Sequence, residues 1–225
     1  MTGASVTSAE RVLSRSDKFA SSSMRARLRA ATAQAHERMH AHPGFAAAAA
    51  GAIQIADYRR LLARVYGFHR PFELAASEAV PSSGLEFDIR ERARSPALVA
   101  DLNSLGLGSD AIARLPLWAP RAPFVCAGSV LGALYVLEGS TLGGVQIARA
   151  LRGVVGDDSG AGRRFFLGRG DQQSAMWRDF LERLEGLSED QGQATKAIDA
   201  AVVTFEDFET WMGGWRAEPD RVPGS

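Results

Sequence analysis

Apolar residues recur along this chain at intervals of three and four, and the segments they define read as helices. Across residues 24 to 41, Leu28, Ala31, Thr32, Ala35 and Met39 share one face. Ser23 is placed to cap the start, and His42-Pro43-Gly44 ends the pattern. A short alanine-rich helix is predicted after Pro43, stopping at Gly51. Residues 55–80 form a long amphipathic segment with Tyr58, Leu61, Leu62, Val65, Phe68 and Phe72 as its apolar stripe. Pro71 is expected to kink that helix or open a new segment. A further helix is predicted over 89–105, with Leu98 and Leu102 facing inward. Gly108, Pro116, Pro120 and Pro123 make 107–123 a connector holding one short turn. Residues 124–151 are the longest helical candidate, with Gly153 and Gly156 at the exit. A glycine-rich loop over 157–170 and two helices over 171–187 and 192–212 complete the chain. No segment alternates with period two. The pattern therefore predicts one all-α domain over 24–215, a bundle of about seven or eight helices. Residues 1–23 and 216–225 are expected to be mobile tails.

Composition narrows the partners more than the fold. Lys plus Arg and Asp plus Glu number 26 each, which leaves no overall field to attract nucleic acid or an anionic membrane. Cys126 is the single cysteine, so an internal disulfide is impossible and a reducing cytoplasm is the expected compartment. The first residues lack the apolar core of a signal peptide. The apolar run 124–137 is broken by glycines and reads as a buried helix rather than a membrane span.

Two features bear on chemistry. His36-Glu37-Arg38-Met39-His40 matches the zinc-hydrolase pattern H-E-x-x-H, but the sequence offers no obvious third ligand, since the remaining histidines are His42 and His69. His36 also borders the apolar stripe of its helix, and Arg29 lies two turns earlier on nearly the same face. An imidazole and a cation so placed can hold a flat anionic cofactor by its metal and by a carboxylate edge. In the long helical candidate, Gly128, Gly132, Gly139 and Gly143 fall within a stripe roughly 60° wide. Each glycine inside a helix costs about 1 kcal/mol relative to alanine, and Gly144 adds a fifth. Either another helix packs tightly on that stripe, or a flat ligand lies against the bare backbone.

Taken together, the two segments resemble one family. Leu28-Arg29-Ala30-Ala31-Thr32-Ala33-Gln34-Ala35-His36-Glu37-Arg38 resembles the proximal helix of haem oxygenases. Tyr135-Val136-Leu137-Glu138-Gly139-Ser140-Thr141-Leu142-Gly143-Gly144 is similar to their distal helix, above all in bacterial members associated with bacteriophytochromes. The likeness runs from about Met24 to Trp211 and includes the region Met176-Trp177-Arg178-Asp179-Phe180-Leu181.

The resemblance implies an enzyme that opens haem b, its substrate and cofactor, to biliverdin, carbon monoxide and ferrous iron using dioxygen. It implies His36 as the iron ligand and Arg29 and Arg178 as partners of the haem propionates, with Tyr135 near a further propionate position. Gly139 and Gly143, with Gly144, would let the distal backbone lie over the haem. Many members carry an aspartate after the first distal glycine to anchor a proton-delivering water network, and here that position is Ser140. No flavin or nucleotide fingerprint is present, so electrons are expected from a separate donor such as a ferredoxin or a reductase. A bacteriophytochrome is the expected recipient of the product. Besides the zinc reading of the H-E-x-x-H string, two alternatives stand beside this reading. One is a haem-binding or haem-storage protein without degradation activity. The other is an enzyme on the same architecture acting on another small molecule, as thiamin-degrading enzymes do.

Overall fold

The computed structural model describes residues 23–85, 88–121, 124–156 and 159–216. Most of the two stretches expected to be tails therefore lies outside the described residues. At the C-terminal edge Trp215 is buried and Arg216 pairs with Asp57.

The regular structure among the described residues is all helical, with no strand. The helices are α1 (Met24–His40), α2 (Pro43–Ala49), α3 (Ile55–Ser83), α4 (Ile89–Arg92), α5 (Ser95–Ser104) and α6 (Ser109–Ala113). They continue as α7 (Ala127–Ser140), α8 (Gly144–Ala150), α9 (Arg152–Val155), α10 (Arg164–Leu167), α11 (Gln173–Glu185) and α12 (Gln191–Met212). The segments outnumber the seven or eight expected because two of the predicted helices are divided and two short ones, α9 and α10, are added.

The helix predicted over 89–105 breaks at Arg94. There the buried Glu73 carboxylate accepts hydrogen bonds from the Arg94 and Ser95 amides, which start α5 anew. The long candidate over 124–151 breaks at Thr141. The Ser140 and Thr141 hydroxyls donate to the Leu137 and Glu138 carbonyls, and the amides of Thr141 and Leu142 turn to the tighter i−3 pattern. Within the glycine-rich loop, Asp101 accepts from the Arg164 and Phe165 amides and so nucleates α10, which buries Phe165 and Phe166. By contrast α3 runs unbroken through Pro71 and Pro81.

The apolar stripe of α3 is buried as the pattern predicts, from Tyr58 through Phe72. On α1, Leu28, Thr32 and Met39 are buried and Ala35 is half-buried, but Ala31 is exposed. The start of α1 is held by two caps. Ser23 accepts from Ala26, and the Glu185 carboxylate at the end of α11 accepts from the Met24 and Arg25 amides at 2.9 and 3.0 Å.

The central seam is α7 against α12. A side-chain carbon on Gly128 would collide with the Gln193 carbonyl, and one on Gly132 with the Ala197 carbonyl. The partners advance together in steps of four, so the two helices run in the same direction at backbone contact. Ala194, Ala197 and Ala201 give α12 a matching small face. The stretch 127–150 is long and apolar enough to cross a membrane by composition, yet Val130, Leu131 and Leu134 are buried in the hydrophobic core.

Gly132→Leu should therefore lower stability by about 3 kcal/mol, since the Ala197 backbone cannot yield as a flexible side chain would. For a domain of this size that is a fall in melting temperature of about 6–12 °C, measured by calorimetry. An unchanged melting temperature would contradict the seam.

Candidate functional site

The glycines of the distal stripe divide into two kinds. Gly128 and Gly132 are consumed by the seam with α12. Gly144, which begins α8, lies on α10, where an added side-chain carbon would stand 2.6 Å from the Phe166 carbonyl oxygen. Gly139 and Gly143 are different. Around Gly143 no heavy atom lies within 4 Å of the position a side chain would take, and Gly139 meets only the edge of the Trp177 ring at 4.0 Å. Helix packing explains the first group and leaves these two backbone segments bare, on the stretch where α7 breaks.

The second segment singled out from the sequence is α1, and α11 and α12 each pack against both α1 and α7. His36 is exposed, in contrast to the sheltered border position its spacing suggested. One side of its ring is covered, by His40 in an edge-to-face contact with centroids 4.4 Å apart and by Phe205 of α12 at 6.4 Å. Partial burial, together with His40, holds its pKa below the usual histidine value. At neutral pH the ring is neutral, with a lone pair available. The H-E-x-x-H string gains no third ligand among the described residues. Among the described residues no three His, Cys, Asp or Glu side chains converge as a metal site.

Arg29 is exposed on α1, and its charge and that of Arg25 reach the Tyr135 hydroxyl of α7. Burial pushes the Tyr135 phenol up, and the two guanidinium groups pull it partly back. Tyr135 lies 6.1 Å from Trp177, which stacks on Phe180 at 5.5 Å. The structure thus brings Arg29, Tyr135, Gly139 and the Trp177 face of α11 into one neighbourhood. Arg178 follows Trp177 on that helix and is exposed. Ser140 is exposed too, but its hydroxyl is engaged within its own helix, donating to the Leu137 carbonyl at 2.7 Å.

Two groups here were not picked out from the sequence. Trp177 belongs to the wall that meets Gly139. Glu138 is buried to 3% exposure and paired with Arg92 and Arg169, both 7% exposed. The only sequence signal for it was an acidic residue closing an apolar run.

Comparison with known proteins bears on family and fold. The family model described as "Heme oxygenase" matches residues 22–119 and 125–213. A haem oxygenase of Xanthomonas campestris pv. campestris (strain 8004) is 33% identical over 165 residues, which span 72% of this chain and 92% of that protein. Among solved structures, the NO- and CO-bound haem oxygenase of Neisseria meningitidis superposes with a TM-score of 0.67 at 20% identity. The match covers 88% of this chain and 95% of that one. Haem oxygenase-1 of the cyanobacterium Synechocystis, solved in complex with haem, gives 0.65 at 17% identity, covering 85% and 91%. The chain belongs to the haem oxygenase family and is a haem-degrading oxidoreductase.

Proposed function

We propose that the protein opens haem b to biliverdin, carbon monoxide and ferrous iron, with His36 as the proximal iron ligand and the Gly139–Gly143 backbone as the distal wall. The observation that carries this reading is the division of the glycine stripe. The two glycines that packing does not use are those facing open space at the break in α7. When bound, haem supplies both the iron at which dioxygen is reduced and the macrocycle that is oxidised.

The residues present fit a planar, metal-bearing dianion. His36 offers a neutral imidazole. Arg29 offers a charge-assisted bond to a propionate, with the Tyr135 hydroxyl beside it and Arg178 as a second cation from α11. Gly139 and Gly143 present backbone without side chains, which would let a planar ligand lie close to it. Gly144 contributes by seating the start of α8 on Phe166, which fixes where Gly143 stands. Ser140 stands where an aspartate anchors distal water in many relatives. Its hydroxyl donates to Leu137, which leaves its oxygen lone pairs as its remaining polar capacity. Distal water would therefore be held as a donor to Ser140.

Electrons come from a separate protein in this proposal, a ferredoxin or a reductase, because the chain carries no nucleotide fingerprint. The likeness of the segment 135–144 to phytochrome-associated members supports chromophore supply to a bacteriophytochrome as the purpose. Lone Cys126 supports a reducing cytoplasm as the compartment.

His36→Ala should weaken hemin binding by more than about tenfold, since even the outer partners of a metal ligand are worth that much. The Soret band should also lose its sharp form in a spectral titration. An unchanged spectrum and affinity would remove His36 from the site. Gly143→Leu has open space in front of it and an unstrained backbone at φ −86°. It should leave the melting temperature within about 2 °C of the parent while lowering biliverdin formation by about a hundredfold. Loss of stability with normal turnover would return this glycine to packing.

A further inference from the structure

Glu138 directly precedes Gly139, in the last turn of α7, with its side chain almost wholly buried. Both circumstances disfavour a carboxylate. Burial removes its hydration, and the C-terminal end of a helix repels negative charge. Burial does push this carboxyl up, and the neighbouring guanidinium groups of Arg169, Arg92 and Arg94 oppose the shift. A buried ion pair contributes little net stability compared with apolar residues of similar volume. Such a placement therefore calls for an explanation in geometry.

The geometry is a clamp. Arg169 donates from Nη2 to Glu138 Oε1 at 3.0 Å, and Arg92 Nη1 stands 3.6 Å from Oε2, an oxygen with no hydrogen-bond partner of its own. Arg92 reaches onward to α11, donating to the Met176 carbonyl at 3.0 Å and to Asp179. Arg169 donates to the carbonyls of Glu91 and Arg92, which locks the two arginines to each other. A second tie runs in parallel. The Thr141 hydroxyl donates to the Glu138 carbonyl at 2.6 Å and accepts from Gln173 Nε2 at 2.7 Å, and Gln173 Oε1 in turn accepts from the Arg169 amide. Between the two ties, Trp177 of α11 meets Gly139.

We propose that Glu138 is a positioning residue: held between Arg92 and Arg169, it fixes the end of α7 against α11 and so sets where the Gly139–Gly143 backbone stands over the bound haem. Its role for haem rests on the function proposed above, whereas the clamp itself is a property of the protein without haem. Glu138 touches neither substrate nor iron in this account. Removing it releases the wall while leaving His36 and Arg29 in place.

The test pairs two readouts in the full chain. Amide hydrogen exchange on the haem-free protein compares residues 139–144, which span the break after α7, with residues 128–136 within α7. Glu138→Ala should speed exchange at 139–144 by about tenfold or more, because a buried charge-assisted bond is lost there, and leave 128–136 within about twofold. Glu138→Gln retains an acceptor for Arg169, so it should restore much of the protection; it also serves if the alanine variant fails to fold. The C–O stretching band of the ferrous carbon monoxide complex should shift and broaden in Glu138→Ala, with hemin affinity within about threefold of the parent.

As a packing control, Leu137→Ala should lower the melting temperature without moving that band. Uniform acceleration along α7, or an unmoved C–O band in a folded Glu138→Ala, would overturn the proposal and leave Glu138 as ordinary packing. If the parent protein binds no hemin, the haem assignment fails. The exchange pattern then still decides the clamp.

Discussion

The approach of two helices to backbone contact governs the arrangement of this molecule. Gly128 and Gly132 let α7 lie on the carbonyls of Gln193 and Ala197, a separation no side chain permits. Past that seam, the backbone at Gly139 meets only the edge of the Trp177 ring and that at Gly143 faces open space. The price of glycine within a helix is thus met by two different returns, close packing in the first half and open backbone in the second. Alanine at Gly128 and Gly132 would collide with the partner backbone, whereas at Gly139 and Gly143 it would only place a methyl group on bare backbone.

Around that seam the polar groups complete what apolar packing leaves undetermined. Glu185 ties the first turn of α1 to the end of α11, and Glu138 with Arg92 and Arg169 ties the end of α7 to the middle of α11. α11 therefore anchors both α1 and α7 from one element. In the proposed function the chemistry would follow from this arrangement: a neutral imidazole from α1, side-chain-free backbone at Gly139 and Gly143, and cations near Tyr135.

Much of this was legible in the sequence. The stripes of α1 and α3 fix their helices by period alone, and the segments around His36 and Gly139 carry the family resemblance. Period could not show where tertiary contacts override a helical pattern. The break at Arg94 needs Glu73, which lies 21 residues away, and the start of α10 needs Asp101, more than 60 residues away. The break at Thr141 had a local signal in the paired hydroxyls of Ser140 and Thr141, which compete for helix carbonyls. The division of the glycine stripe was not legible, because all four positions share one face and only the partner helix distinguishes them. His36 reads as sheltered from its neighbours in sequence and stands exposed in the fold, since the stripe beside it turns toward α12 while the ring lies at its margin.

The central claim is that this site binds haem between His36 and the distal glycines and opens it. Absorption spectra of the purified protein with one equivalent of hemin, recorded in air with catalase present before and after a competent reductant is added, test it most directly. The account predicts a sharp Soret band that gives way to the broad red absorption of biliverdin. A Soret band that persists through reduction, or one that never forms, would contradict it.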